Sequence, residues 1–252
     1  MSLIGLQLFK SLGIESIPIG TNIILTGPSG VGKSVFCETL VFNCISEVNV
    51  IFITLSNPPQ VIRDKTIGQG NRLSYETKHL IIIDAYSWTI GKKEEERYHV
   101  SHLSNLNDLS IKIYNAINDA EHPKILIFDS ISTLFLYNSE IDITRFIQIN
   151  MARLKDLRCI GFWQVTEGIH NLPFYNSLRN LTDGVIEMRF EDTHQLNRFL
   201  RIHTLKGMAH QTNWIPFTID NEGRFIINND KSMPKLAKTI QNRNPDYNSI
   251  ML

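Results

Sequence analysis

The chain has 252 residues, 42% hydrophobic and 20% charged, proportions that exclude wholesale disorder and leave room for one large α/β domain or two small ones. Lys plus Arg and Asp plus Glu both number 25, so no global charge pulls the chain towards nucleic acid or an anionic membrane. No apolar run reaches membrane-spanning length, and the N-terminus lacks the basic start and long apolar core of a signal peptide. Cys37, Cys44 and Cys159 form no C-x-x-C pair, which reads as buried, reduced thiols in a cytoplasmic protein.

Short, β-branched apolar runs recur along the chain: Asn22–Thr26, Val50–Leu55, His79–Asp84, Lys124–Asp129 and Cys159–Val165. Runs of this kind predict parallel strands covered on both faces. Helical stretches are predicted over Lys33–Ser46, Asn107–Ala120 and Asp142–Leu157, and the alternation argues for a doubly wound sheet. The charged cluster Lys92–Arg97 reads as a solvated helix face. His99 and His102 have metal-like spacing but no nearby third ligand in sequence, so they read as a helix-surface pair. Trp88, Trp163 and Trp214 read as core or subunit-interface residues.

After Thr182 the texture changes. Gly184–Phe190, Phe199–Leu205, Trp214–Ile219 and Arg224–Ile227 follow one another without helices, with turns marked by Gly207, Asn221 and Gly223. This predicts an antiparallel extension of the same sheet. Residues 1–227 are therefore expected to form one domain, and 228–252 a polar tail with a short helix around Lys235–Gln241.

Gly27-Pro28-Ser29-Gly30-Val31-Gly32-Lys33-Ser34 fits G-x-x-x-x-G-K-[ST] in full. Glycines let the backbone turn its N–H groups onto phosphate oxygens, and the following helix adds the positive end of its dipole. Lys33 is expected to reach the β- and γ-phosphates, and Ser34 to offer its hydroxyl to Mg²⁺. The metal also needs an acid. Asp129 ends the run KILIFD, and its strand is expected to lie beside the phosphate loop, where the carboxylate would hold a Mg²⁺-bound water. Asp84, ending HLIIID, is the rival.

These motifs carry a resemblance. With IFITLSNPP at 51–59, HLIIIDAYSW at 79–88, ILIFDSISTL at 125–134, VTE at 165–167, LTDGVIEM at 181–188 and LKGMAH to WIPFTIDNEG at 205–223, the chain resembles the single-domain KaiC-like ATPases of the RecA superfamily. Most of these are archaeal, and they include the ArlH/FlaH-like proteins of the archaeal motility motor. The resemblance runs from about residue 4 to residue 227. It implies an α/β, RecA-like P-loop NTPase fold, with a largely parallel central sheet carrying helices on both faces. It also implies ATP rather than GTP as ligand, and assembly into a ring, often a hexamer, with nucleotide between subunits. Lys206 falls where such proteins place a basic finger near a neighbour's γ-phosphate; read from its own surroundings, it is equally an exposed charge before a Gly turn. Thr204 stands where a second basic residue is common.

A larger departure follows the second predicted strand. Hydrolysing relatives carry paired glutamates there, one of which orients and deprotonates the attacking water. Here the positions hold Ser56 and Asn57, neither of which can act as a carboxylate base. Neither Glu38, on the helix after the loop, nor Glu167 is a clear replacement. The expected function is an ATP·Mg²⁺-binding regulatory module with weak or absent hydrolysis, acting as a nucleotide-dependent ring or on a protein partner in signalling or motility. The alternatives are an active ATPase and a recombinase-like DNA-associated ATPase, the latter disfavoured by the neutral net charge.

Overall fold

The computed structural model describes residues 3–4, 7–66, 79–92, 96–192 and 196–228. The expected helix in the C-terminal tail lies outside them. In chain order, β1 (Leu3–Ile4) and β2 (Ile17–Pro18) form an antiparallel pair, with α1 (Gln7–Lys10) between them. Then come β3 (Asn22–Gly27), α2 (Lys33–Cys44), β4 (Asn49–Thr54), α3 (Pro59–Thr66) and β5 (Leu80–Asp84). A 3-10 turn at Ser87–Ile90 precedes β6 (Tyr98–His99), α4 (Leu106–Asp119), β7 (Lys124–Asp129), α5 (Ile131–Leu134) and α6 (Glu140–Asp156). The chain continues through β8 (Ile160–Thr166), α7 (Leu172–Leu181), β9 (Gly184–Asp192), β10 (Leu196–Leu205), β11 (Ile215–Ile219) and β12 (Phe225–Ile227).

One ten-stranded sheet, in the order β12-β11-β10-β9-β3-β8-β7-β4-β5-β6, runs through all of these except the first pair. From β9 to β6 every neighbouring pair is parallel. The antiparallel extension therefore starts one strand later than the sequence suggests: β9 pairs parallel with β3 on one side and antiparallel with β10 on the other. Absence of an intervening helix identifies the hairpin partner β10, but the other neighbour of β9 is β3, far away in sequence, because the α7 connection from β8 passes over it.

Strand alternation sends side chains to two separate cores. Ile23 and Leu25 of β3 join Phe9, Phe36, Leu40, Phe52 and Phe162 on the α1–α2 side. Ile24 joins Ile53, Leu109, Ile113, Phe128, Ile147, Trp163 and Phe174 on the α4–α7 side. Helix starts are specified locally. Asn105, Ser139 and Asn171 accept hydrogen bonds from the backbone N–H three residues on, opening α4, α6 and α7. The α7 cap and the proline in its first turn are readable signals for a helix that the sequence analysis does not assign.

The solvated-helix reading of Lys92–Arg97 is corrected where it can be checked. Glu96 and Arg97 lie in a bend before β6; Glu96 accepts two bonds from Arg63, at 2.6 and 2.7 Å. Nor are His99 and His102 a helical pair: His99 sits in β6 and His102 in a turn, packed on Trp88 at 4.3 Å between ring centroids. All three cysteines are buried and unpaired.

Asn22 ties the central layers together. Fully buried, it accepts from the Trp163 indole N–H at 3.0 Å and donates to the Met151 carbonyl at 3.2 Å. Three elements, β3, β8 and α6, thus share one amide. Removing it leaves the buried Trp163 N–H without a partner, the Met151 carbonyl keeping its intrahelical bond, so Asn22→Ala is expected to lower unfolding free energy by about 1–3 kcal/mol in urea titrations. A loss below about 0.5 kcal/mol would rule out this role.

Candidate functional site at the end of strand β3

Gly27 closes β3 with φ +156°, and a Cβ there would sit 2.6 Å from the Met188 carbonyl oxygen of β9. No side chain fits, so the backbone lies tight against the neighbouring strand before turning out. Val31, fully buried, anchors the far side of the loop, while Ser29 and Gly30 stay exposed. Gly32, at φ +116°, then caps α2 in a conformation that L side chains rarely adopt. The result is a tight loop running into a helix N-terminus.

Lys33 is the first residue of α2 and only 7% exposed. Its ammonium bends back over the loop and donates to the carbonyls of Gly27 at 2.7 Å and Pro28 at 2.8 Å. Burial brings its pKa down to about 8, while Asp129 and Glu167 pull it up. Ser34, next on the helix, donates from Oγ to Gln164 Oε1 at 3.4 Å.

Asp129 ends β7, but β7 is not adjacent to β3, contrary to the sequence expectation. β8 lies between them, pairing with both in parallel. Asp129 reaches the loop by pointing across β8 on the α2 side, over Gln164. It is 7% exposed. Burial raises its pKa, and Ser34, Gln164, Lys33 and Lys65 act in the opposite direction. Asp84 is further away, with three strands between β5 and β3. Its carboxylate is occupied, accepting from the backbone N–H groups of Tyr86 and Ser87 at 2.9 Å each. Asp129, not Asp84, stands beside Lys33 and Ser34.

Ser56 and Asn57 follow β4 directly, next to Asp129, because Thr54 pairs with Asp129 and the Leu55 N–H donates to its carbonyl at 3.0 Å. Ser56 is exposed, with Oγ 3.4 Å from Thr133 Oγ1, and the Asn57 carbonyl accepts from Thr54 Oγ1 at 2.6 Å. Two other acids face the site. Glu38, 6% exposed, pairs with Lys65 of α3 at 2.9 Å, and burial raises its pKa. Glu167 follows β8 and donates its backbone N–H to Gly27 at 3.0 Å. Its carboxyl pKa is raised by burial and by Glu187, with Arg179 and Lys33 opposing.

Lys206 lies elsewhere. It follows β10, and its ammonium donates to the Thr182 carbonyl. Its backbone N–H donates to Asp183, whose own N–H donates to Asn22 at the start of β3. Lys206 therefore sits at the opposite end of β3 from the phosphate loop. Sequence reasoning missed Gln164 and Lys65. Gln164 had a signal: it is a buried polar residue within an apolar run, on the face of β8 shared with Ile160 and Phe162. Among the described residues no cluster of three or more His, Cys, Asp or Glu could hold a metal ion by itself.

A family model described as ATPase: KaiC matches residues 4–231. The chain belongs to the KaiC ATPase family. It is 28% identical over 214 residues to a UPF0273 protein of Methanopyrus kandleri, spanning 82% of this chain and 84% of that protein. With the circadian clock oscillator protein KaiC of Parathermosynechococcus lividus it shares 25% identity over 227 residues, 87% of this chain but 41% of that longer protein. A solved KaiC-like protein from Pyrococcus horikoshii superposes with a TM-score of 0.67 at 19% identity, covering 85% of this chain and 92% of that one. Membership of the KaiC family makes this a RecA-type, nucleotide-binding P-loop protein, with the family match over residues 4–231. Among the described residues no helix is long and apolar enough to cross a membrane.

Phosphate attraction needs Lys33 in its charged form. With its pKa near 8, the free protein loses that cation as pH rises past about 8. Nucleotide affinity measured by calorimetry should be level below about pH 8 and fall above it, and Lys33→Ala should weaken binding and erase the inflection. An affinity that is unchanged through this range would contradict the assignment.

Proposed function

We propose that this KaiC-family chain is an ATP·Mg²⁺-binding regulatory module with weak or absent hydrolysis, which forms a nucleotide-dependent ring and presents it to a protein partner in the cytoplasm, in signalling or motility. The observation that carries this reading is the end of β4. Ser56 and Asn57 occupy the water-activating positions, with a hydroxyl on Thr133 and a backbone carbonyl on Thr54. General-base catalysis contributes about 10²–10⁴-fold. Without it, positioning and electrostatics sustain binding and slow turnover.

The donor set fits a magnesium ion. Ser34 Oγ and the Asp129 carboxylate are hard oxygen ligands on adjoining elements, and phosphate oxygens and waters would complete six-fold coordination. Bound Mg²⁺ would neutralise phosphate charge. Lys33 would exchange its two loop carbonyls for phosphate oxygens, and Asp129 would orient metal-bound water. Glu38 is paired with Lys65, and the more distant Asp84 holds a turn.

The ring reading comes from the family resemblance, and the place of Lys206 limits how a basic finger could act in it. β3 is 6 residues long, and at about 3.3 Å per residue its two ends lie on the order of 16 Å apart. A lysine side chain spans well under that distance, so Lys206 cannot serve the phosphate loop of its own chain. As a basic finger it acts on another copy. Glu167 favours a second reading, a slow but active ATPase, because its carboxylate faces Lys33.

Released phosphate and light-scattering mass, measured on one sample with and without ATP·Mg²⁺, test the proposal. The expected result is a larger particle with nucleotide and little phosphate. Turnover at about 1 s⁻¹ or more that disappears in Lys33→Ala overturns the weak-hydrolysis reading, and a monomer indifferent to ATP overturns the ring. Restoring both carboxylates, Ser56→Glu with Asn57→Glu, should raise hydrolysis by about 10²-fold.

A further inference from the structure

Gln164 is anomalous for its position. It lies in the middle of β8, between the phosphate-loop strand and the Asp129 strand, and is 1% exposed. Its neighbours on the same strand face, Ile160 and Phe162, are buried core residues. An amide at such a place is costly unless its polar atoms are used. Only half of this one is used: Oε1 accepts from Ser34 Oγ, whereas Nε2 has no hydrogen-bond partner among the described residues.

The chemistry of the surroundings fixes which way the amide points. An ionised Asp129 offers only acceptors, the Ser34 hydroxyl can donate or accept, and the buried Cys37 thiol also lies within reach of the amide. The amide nitrogen therefore belongs on the Asp129 side and the oxygen on the Ser34 side. Gln164 and Ser34 already hold the Asp129 carboxyl towards its charged form against burial.

We infer that Gln164 is a positioning residue for the metal-bound nucleotide: its amide accepts a hydrogen bond from Ser34 on one side and donates one to Asp129 on the other, so that Ser34 Oγ turns its lone pairs to the cation and Asp129 turns an oxygen to a water bound to it. The inference rests on the ATP·Mg²⁺ reading above. A Ser34 hydroxyl that donates to Gln164 keeps its oxygen lone pairs free for the metal. An Asp129 carboxylate that accepts one N–H from Gln164 is held in a single rotamer, leaving its other oxygen for a metal-bound water. The unpartnered Nε2 is then a donor held ready for the loaded state. Outer-shell partners of metal ligands act in this way, fixing orientation without touching the ion.

The test compares ATP binding by calorimetry with Mg²⁺ and with EDTA, in the wild type, Gln164→Met and Phe162→Leu. Methionine keeps the side chain's length and apolar fit and removes both polar functions. Gln164→Met should lose about 10- to 100-fold in ATP affinity with Mg²⁺, with less than about twofold change in EDTA, where only the loop and Lys33 hold phosphate. Phe162→Leu loosens the same face of β8 without touching the amide; it should lower the melting temperature but keep the wild-type gain from Mg²⁺. A Gln164→Met protein with the wild-type Mg²⁺ gain, or with equal losses in both conditions, overturns the inference while leaving the ATP·Mg²⁺ reading intact. A wild type that does not bind ATP, or gains nothing from Mg²⁺, overturns both. As a measurement independent of folding defects, the Gln164 side-chain amide of ¹⁵N-glutamine-labelled wild type should shift when Mg²⁺ is added to the ATP complex. An amide signal indifferent to Mg²⁺ rejects the positioning role.

Discussion

The close approach of Gly27 to the Met188 carbonyl governs the site. Because a Cβ there would stand 2.6 Å from that oxygen, the chain can leave β3 only as bare backbone pressed against β9. That contact sets the height of the loop above the sheet. From it follow the direction in which the loop amides face, the point where α2 begins, and the fold-back of Lys33 onto the carbonyls it has just left. Glu167 is drawn in by the same junction, through its N–H on the Gly27 carbonyl. A strand buried on both sides and flanked by β8 and β9 makes this geometry rigid, since neither neighbour can yield without disturbing one of the two cores.

Charge is balanced locally around that junction. Asp129, Glu38 and Glu167 are each driven towards their neutral forms by burial, and Lys33, Lys65 and Arg179 oppose this. Lys33 is driven towards its own neutral form. A polyphosphate with its cation enters a place where opposite charges are already close and poorly hydrated, so each electrostatic contact is stronger than it would be in water. The exposed side of this arrangement is the end of β4. Hydroxyls from Ser56, Thr133 and Ser130 stand there in a row with spacings of 3.4 Å, and such groups can order a water but cannot take its proton at neutral pH.

Much of this was legible in the sequence, for identifiable reasons. β-Branched runs gave the central strands to within a residue or so, because strands buried on both faces are mostly apolar at both parities, with Asn22 and Gln164 as buried exceptions. The phosphate loop was legible because its glycines and lysine answer to local backbone chemistry. Pairing order was not. Nothing in KILIFD says that CIGFWQV lies between it and NIILT, and the expectation that Asp129's strand sits beside the loop failed on that point. The partner strand of β9 was hidden for the same reason. Gln164 was visible as a letter, but its meaning depends on which two strands flank it. The surroundings of Lys65 and Glu38 likewise depend on how α3 packs on α2, a contact between segments separated by β4.

The sheet ends in stubs. Among the described residues its two outermost strands, β6 and β12, have 2 and 3 residues. Each therefore offers only a few unpaired N–H and C=O groups to an incoming strand. Long, flat edges invite uncontrolled growth of a sheet from one molecule into the next. In the ring proposed above, copies would find little backbone to pair with at these two strands and would meet there through side chains. A joint of that kind would come apart again when its chemistry changes, which a continuous β-structure could not do.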